Sequence, residues 1–488
     1  MKARRTAVDD PGRTDGFVRG LVEAIGGPLG AHAAGPGGPS PRRFWTPARI
    51  VLALGCLTLV LHWVQKTPCM DGAWTNNVQY TRFCYSDVLA LFFNEGLDEG
   101  KIPYLDHPVE YPVLTGAFMG LLGLPIHAYG QSHPEINMGM WFYNVNAFVL
   151  SVLAVVTIAL LLGMRRRRPW DVAMFALAPA LFISGTVNWD LLSIVFAVGG
   201  LAAWARRRPL LAGLLLGLGT AAKLWPGFLF IAILFLAVRA RRLAPAIEAT
   251  AMGIVVWLSV NLPVIWLNQT GWSEFLRLNR ERGVDWGTLW YIGEHLPTGP
   301  GEYGLELFKR LGADIPTLNL LTYVLIAFAW AAVLVLVLRA PQRPRLAQVA
   351  FLVVALFLIF NKVWSQQFVL WLLPLAVLAR PRWTAFLAWQ LAEVCYFAAF
   401  YGELMGAGGK TVFPEWVFVL ASILRMGAVV VLCVMVARDI MRPERDPVRA
   451  SYDGTDPDEG ELADRDGADD RSGDGEDKRA VDLSPAHA

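Results

Sequence analysis

Charged residues are scarce: they make up 17% of this 488-residue chain, where an ordinary soluble domain has about 25%. With 55% hydrophobic residues and a mean hydropathy of +0.43, the apolar surplus exceeds what one globular core can hold. An all-α polytopic membrane protein is expected. Cysteine is scarce too; five residues and no CxxC pair exclude a disulfide scaffold and a zinc domain. Cys56, Cys395 and Cys433 lie in apolar runs, which leaves Cys69 and Cys84 as the pair able to bond. Also missing are a Walker motif, a GxSxG sequence and, outside the C-terminal tail, any Asp-x-Asp pair. The last absence argues against a metal-bridged nucleotide sugar. No metal site, no cofactor and no nucleic acid partner is expected.

The ends are the charged parts. Residues 1–48 are rich in Gly, Pro and Arg and lack the apolar core and cleavage site of a signal peptide, so a disordered cytoplasmic extension is expected. Residues 439–488 are rich in Asp and Glu with few aliphatics, and are expected to form a solvated, disordered tail on the same side. Residues 49–438 between them form the membrane domain. Short Arg-rich loops stay in the cytoplasm, and clusters at 42–43, 165–168, 206–208, 239–242, 339–345, 380–382 and 438–442 demand an even number of crossings between neighbours. Residues 50–64 leave and 141–163 return, which makes the apolar stretch 112–126 a juxtamembrane or re-entrant helix. Hairpins at 169–205, 209–238 and 346–379 follow, with single spans at 246–266, 317–338, 383–401 and 416–436. The expected count is about twelve spans, with both termini cytoplasmic and two long outer segments, 65–140 and 267–316. The middle hairpin offers roughly 45 Å of helix where two crossings need about 60 Å, so its tip should stop below the outer surface.

Each hairpin carries polar residues at its midpoint: Asn188-Trp189-Asp190, Lys223-Leu224-Trp225-Pro226, and Asn361-Lys362-Val363-Trp364-Ser365-Gln366-Gln367. A lysine at membrane depth costs about 2.5–3.5 kcal/mol and needs a partner. For Lys223 and Lys362 that partner is either a carboxylate such as Asp190 or an anionic lipid head group, since a cation gains about 4 kcal/mol from a phosphate 4 Å away at a dielectric near 20. Asp87 heads an apolar run and is either a helix N-cap or a general base toward a hydroxyl. Glu110, directly before Tyr111-Pro112, either orients substrate or marks a helix entry. In the second outer segment, residues 272–282 are amphipathic, and Arg280 and Arg282 either anchor that helix at the membrane or reach a phosphate. Asp285 and His295 follow in a Gly- and Trp-rich loop. Glu393 and Arg425, inside apolar spans, read as a buried ion pair outside the site.

Four motifs in this order carry a resemblance: Tyr85-Ser86-Asp87 with Gly100-Lys101-Ile102-Pro103-Tyr104 and Glu110-Tyr111-Pro112; Asn188-Trp189-Asp190; Ala221-Ala222-Lys223-Leu224-Trp225-Pro226; and Lys362-Val363-Trp364-Ser365-Gln366-Gln367 with the apolar run after it. Over roughly residues 49–438 the chain resembles the bacterial polyprenyl-phosphate-dependent GT-C glycosyltransferases of the family 87 type, which include actinobacterial membrane mannosyltransferases. The resemblance implies a GT-C-like bundle in the plasma membrane with its active site on the outer face. It implies a polyprenyl-phosphate sugar donor, most simply of mannose, a hydroxyl acceptor on an envelope glycolipid or glycan, and surrounding membrane lipids. By the same resemblance Asp87 is the base, Lys223, Lys362 and Arg280 hold the departing phosphate, and Glu110, Tyr111, Asn188, Asp190, Gln366, Gln367 and His295 bind substrate. Residues 65–85, with Cys69 and Cys84, depart from the family pattern; they leave Asp71 as a rival base and suggest a disulfide on the oxidising side. A polyprenyl-linked sugar transporter or flippase also uses buried lysines and broken hairpins, but internal repeats are not evident and it would need no base. A catalytically inactive envelope scaffold is the third reading.

Overall fold

The computed structural model describes residues 15–26 and 45–463. Six helices are long and apolar enough to cross a membrane: Pro47–Cys69, Val113–Ser132, Met138–Met164, Ala244–Leu267, Ile315–Arg339 and Glu415–Met441. Trp383–Ala407 matches them in length but carries Gln390 and Glu393 and is not among them. Six shorter apolar helices form three hairpins, Pro169–Ser184 with Asp190–Ala205, Pro209–Ala222 with Trp225–Ala240, and Leu346–Phe360 with Gln366–Ala379. At 16 residues a helix such as Asp190–Ala205 is about 24 Å long, short of a 30 Å hydrocarbon core. The sequence marks only the middle hairpin as short; all three are. The expected count of about twelve spans therefore rests on these hairpins and on Trp383–Ala407, while length and hydropathy support six, one of which, Val113–Ser132, is expected from the sequence not to span.

Proline opens many of these helices, with Pro47, Pro169, Pro179 and Pro209 in their first turns, where a missing N–H costs nothing. Close helix crossing is set by small residues. Gly213 and Gly217 of Pro209–Ala222 lie on Ala249 and Gly253 of Ala244–Leu267, and a Cβ at Gly213 would sit 2.1 Å from the Ala249 carbonyl oxygen. The Val113–Ser132 helix begins against the middle hairpin and packs on the first outer segment. Thr115 Oγ1 donates to Ala222 O at 2.7 Å, Gly123 packs on Leu97 and Phe142, and Gly130 packs on Met138. The only sheet among the described residues is a ribbon of Pro297–Gly299 and Glu302–Tyr303.

Two expectations about the ends need correcting. Residues 16–26 are a helix, and Asp15 Oδ2 accepts from the Trp383 backbone N–H at 3.0 Å. Residues 439–463 are not a solvated tail: they fold across the Arg-rich end of the bundle. Arg165 Nη2 meets Asp458 Oδ2 at 2.6 Å and Arg345 Nε meets Asp446 Oδ2 at 2.6 Å, with both arginines fully buried. Both also donate to Leu378 O, at 3.1 and 2.8 Å. Composition misleads here because this segment is held by charge neutralisation, with Ile440, Val448 and Leu462 its buried apolar points. Residues 1–14, 27–44 and 464–488, where the rest of the disorder expectation falls, lie outside the described residues.

Candidate active site

Asp87 is the first residue of the Asp87–Asn94 helix, and its side chain is free of capping duty. The preceding Ser86 donates its hydroxyl to Thr186 O at 3.0 Å and Val187 O at 3.2 Å, and Val88 N donates to Val187 O at 3.3 Å. The first helical turn is thereby stitched to the tip of the first hairpin. Asp87 Oδ2 accepts from Asn188 Nδ2 at 2.7 Å and from Gln367 Nε2 at 3.3 Å. Burial pushes the Asp87 carboxyl above the usual range, opposed by hydrogen bonds from Asn188 and the Tyr85 phenol and by Lys223. Upstream, Lys66 Nζ donates to Phe83 O at 3.3 Å and Tyr85 O at 3.0 Å. Cys69 and Cys84 are bonded in the structure, with Cα atoms 5.7 Å apart.

Asn188 links this carboxylate to a second group, since its Nδ2 also lies 2.6 Å from Tyr111 Oη. Lys223 follows the end of Pro209–Ala222 in extended backbone. Its Nζ is 2.9 Å from Asp190 Oδ1, which also accepts from Trp371 Nε1 at 2.6 Å. The ammonium lies 5.5 Å from the ring centroids of Tyr111 and of Phe368. The lysine thus has the carboxylate partner that membrane depth demands and still faces open space.

That space is two adjoining cavities. The larger, of about 690 Å³, is lined by Asp87, Tyr80, Tyr85, Asp285, Trp286 and Tyr396. The smaller, of about 170 Å³, is lined by Lys223 and the apolar faces of Trp225, Phe275, Phe357, Phe368 and Trp371. Glu110, Tyr111, Leu278, Arg282, Ser365 and Gln367 line both. Burial raises the pKa of Glu110, with Asp87 adding to the effect. A buried carboxylate with two amide donors on one side, and an ammonium in an apolar slot on the other, suit proton removal beside an anionic leaving group.

A family model for glycosyltransferase family 87 matches residues 116–364, half of the chain. The chain belongs to glycosyltransferase family 87. No curated protein matches it. The family match covers Asn188, Asp190, Lys223 and Lys362, and begins after Asp87, Glu110 and Tyr111.

In this family 87 chain the residues singled out from sequence divide into two sets. Asp87, Glu110, Tyr111, Asn188, Lys223, Gln366 and Gln367 line the paired cavities, and Asp190 holds Lys223 from behind. Lys362 does not join them. Its ammonium donates to the main-chain carbonyl oxygens of Arg282 and Arg280, at the C-terminal end of the Gln269–Glu281 helix where such oxygens lack intrahelical partners. Arg280 is exposed and lines neither cavity. His295 stacks on Tyr291 with centroids 3.9 Å apart and lies 3.5 Å from Glu415, away from both cavities. Asp71 is exposed and accepts from Ala73 N at 3.2 Å.

The sequence offers both Arg280 and Arg282 to a phosphate, and the resemblance assigns it to Arg280. Arg282 lines both cavities and lies 3.2 Å from Asp285 Oδ1. The helix ends at Glu281, so a residue two positions after Arg280 leaves the helical face. That terminus was the signal available. Tyr396 and Trp286, aromatic walls of the larger cavity, carried no sequence signal at all.

Proposed function

We propose that this family 87 glycosyltransferase moves a sugar, with mannose the first candidate, from a polyprenyl-phosphate donor to a hydroxyl of an envelope glycolipid or glycan at the outer face of the plasma membrane, with inversion. The observation that carries this reading is the Asp87 carboxylate in one cavity beside the Lys223 ammonium in the next. The acceptor hydroxyl gives its proton to Asp87 while its oxygen bonds to the anomeric carbon. The bond from that carbon to the phosphate oxygen breaks on the opposite side, and polyprenyl phosphate leaves with the electron pair. Lys223 and Arg282 receive that phosphate, and Trp225, Phe275, Phe357 and Trp371 receive the first prenyl units. At an interfacial dielectric near 20, each cation about 4 Å away contributes about 4 kcal/mol of attraction. Glu110, Tyr111, Asn188, Gln366 and Gln367 orient the reacting groups, and Asp190 keeps Lys223 in place. The Arg clusters at the opposite end support cytoplasmic termini and an outward-facing site.

The test is transfer of radiolabel from polyprenyl-phosphate mannose, arabinose and glucose to a membrane lipid extract, by purified wild type, Asp87→Asn and Asp71→Asn. The reading expects one donor to be used, Asp87→Asn to be inactive with donor binding retained, and Asp71→Asn to be active. Silence of the wild type across the panel, with donor binding, would turn the assignment toward a transporter of the same lipid.

A further inference from the structure

Arg425, in the middle of the Glu415–Met441 helix, is fully buried and far in sequence from every residue assigned so far. Its Nε lies 3.1 Å from Glu393 Oε2, a close ion contact without hydrogen-bond alignment. The aligned donors go elsewhere. Nη1 donates to Trp364 O at 3.2 Å and Nη2 to Ser365 O at 3.3 Å. The guanidinium carbon also sits 4.3 Å from the Trp364 ring centroid and 4.1 Å from that of Tyr396.

These contacts converge on the cavity wall. Leu346–Phe360 ends before Asn361, and the next turn begins at Gln366. Ser365 between them is extended (φ −58°, ψ 153°), which breaks the ladder at Trp364 O, while Ser365 O opens the next turn by accepting from Phe368 N at 3.1 Å and takes the Arg425 fork as a second donor. The following turn presents Gln366 and Gln367 to the larger cavity, and Gln367 reaches Asp87. Tyr396, under the same guanidinium, lines that cavity as well and donates to Trp286 O at 3.4 Å. A buried ion pair adds little stability over well-packed apolar side chains. A planar fork on two successive carbonyls does what neither lysine nor an apolar residue can.

We propose that Arg425 is a positioning residue for the transfer reaction, fixing the 364–367 turn so that Gln367 meets the Asp87 carboxylate. The proposal rests on Asp87 being the base. Loss of the Gln367 hydrogen bond disfavours the ionised carboxylate, so the acid limb of the pH profile moves upward.

The test uses the full-length protein purified in detergent and the polyprenyl-phosphate mannose, arabinose or glucose donor that the transfer panel selects. Arg425→Lys leaves a charge for Glu393 but lacks the fork. It is expected to stay monodisperse, to lose at least about tenfold in kcat and to shift the acid limb of kcat/KM up by about half a pH unit or more. Gln367→Ala should shift it equally, and the double variant no further. Glu393→Gln keeps the fork on both carbonyls, and should lose stability without moving the acid limb. Hydrogen exchange needs no substrate: amides of residues 361–368 should exchange at least about tenfold faster in Arg425→Lys, with the hairpin helices unchanged. If Arg425→Lys aggregates, Arg425→Met with Glu393→Met leaves no unpaired charge and should give the same losses. Wild-type exchange over 361–368, wild-type kcat, or additive shifts in the double variant would each overturn the proposal. Retained transfer by Asp87→Asn would instead remove the base assignment, with the exchange result still deciding what Arg425 holds.

Discussion

Replacing Asp446 with alanine removes the carboxylate that neutralises Arg345, a side chain with no exposed surface. Arg345 would keep its hydrogen bonds to Leu378 O at 2.8 Å and Ala379 O at 2.6 Å. Those carbonyls are dipoles and cannot cancel a full charge, and Gln348 Nε2 would lose its acceptor as well, now 3.2 Å away. Stranding one member of a buried pair costs about 3–5 kcal/mol. In a protein of this size that is a fall in Tm of about 3–5 °C, read by tryptophan fluorescence in detergent at pH 7. The control is Glu306→Ala, whose partner Arg310 is 3.0 Å away but largely exposed; there the shift should stay within about 1 °C. Arg345→Met with Asp446→Leu should recover most of the loss, because no unpaired charge remains. The pH dependence adds a second check. Burial alone would raise the Asp446 carboxyl, but Arg345 overrides it and holds the group below the usual carboxylate range. Its contribution is therefore present above the ordinary carboxylate pKa of about 4 and is lost as pH falls below that, so the gap between wild type and Asp446→Ala should close in acid. A Tm drop for Asp446→Ala no larger than that for Glu306→Ala would refute the reasoning.

Asp87→Asn should lower transfer by about 10²-fold or more, the range of a positioned general base. Because burial raises the Asp87 carboxyl, the acid limb of wild-type kcat/KM should lie above the ordinary carboxylate range. Arg282→Gln should raise KM for the donor about tenfold, the loss of one partly solvated contact worth about 1.4 kcal/mol, and leave Tm unchanged; Arg280→Gln should change neither. Free-thiol titration of the unfolded protein should find three thiols before reduction and five after, since Cys56, Cys395 and Cys433 are free. Burial lifts Glu95 to about 7, with Glu110 adding to it. The folded state then binds a proton that the unfolded chain has released, so stability falls as pH rises from about 4.5 to 7. Glu95→Gln should therefore gain roughly 1–2 kcal/mol at pH 8 and nothing at pH 4, measured as the Tm difference at each pH.

How far the site was legible depends on what kind of signal each residue left. Polar residues at the midpoints of apolar hairpins were visible because the surroundings make them costly, and Asp87, Asn188, Lys223 and Gln367 do meet around the paired cavities. The cost of a lysine at membrane depth singles out Lys223 and Lys362, yet only the geometry tells a lysine facing a cavity from one spent on carbonyls. Lys223 and Lys362 stand in equivalent tip positions, and the difference lies in what packs above each. Lys223 meets a carboxylate and two aromatic faces. Lys362 meets the C-terminal end of the Gln269–Glu281 helix, whose carbonyl oxygens, lacking intrahelical partners, accept its hydrogen bonds. Which helix end lies over which tip is a tertiary fact that no local pattern encodes.

The C-terminal segment shows a different limit, in which two local readings interfere. The arginine clusters were read as topology marks and the acidic stretch after residue 438 as solvated, each on its own composition. The structure joins them: Arg165 and Arg345 are neutralised by Asp458 and Asp446 and are fully buried. A buried, neutralised arginine no longer presents charge to the membrane surface, so the orientation argument falls on the exposed members of the same clusters, such as Arg207, Arg208 and Arg442. The acidic segment, for its part, cannot fold by burying apolar surface, and does not need to. Its carboxylates meet Arg165 and Arg345, which also donate to Leu378 O at the end of the third hairpin. Disorder inferred from composition holds only where no complementary buried charge is within reach, and here the chain supplies that complement nearly 300 residues earlier, as the Arg165–Asp458 separation of 293 shows.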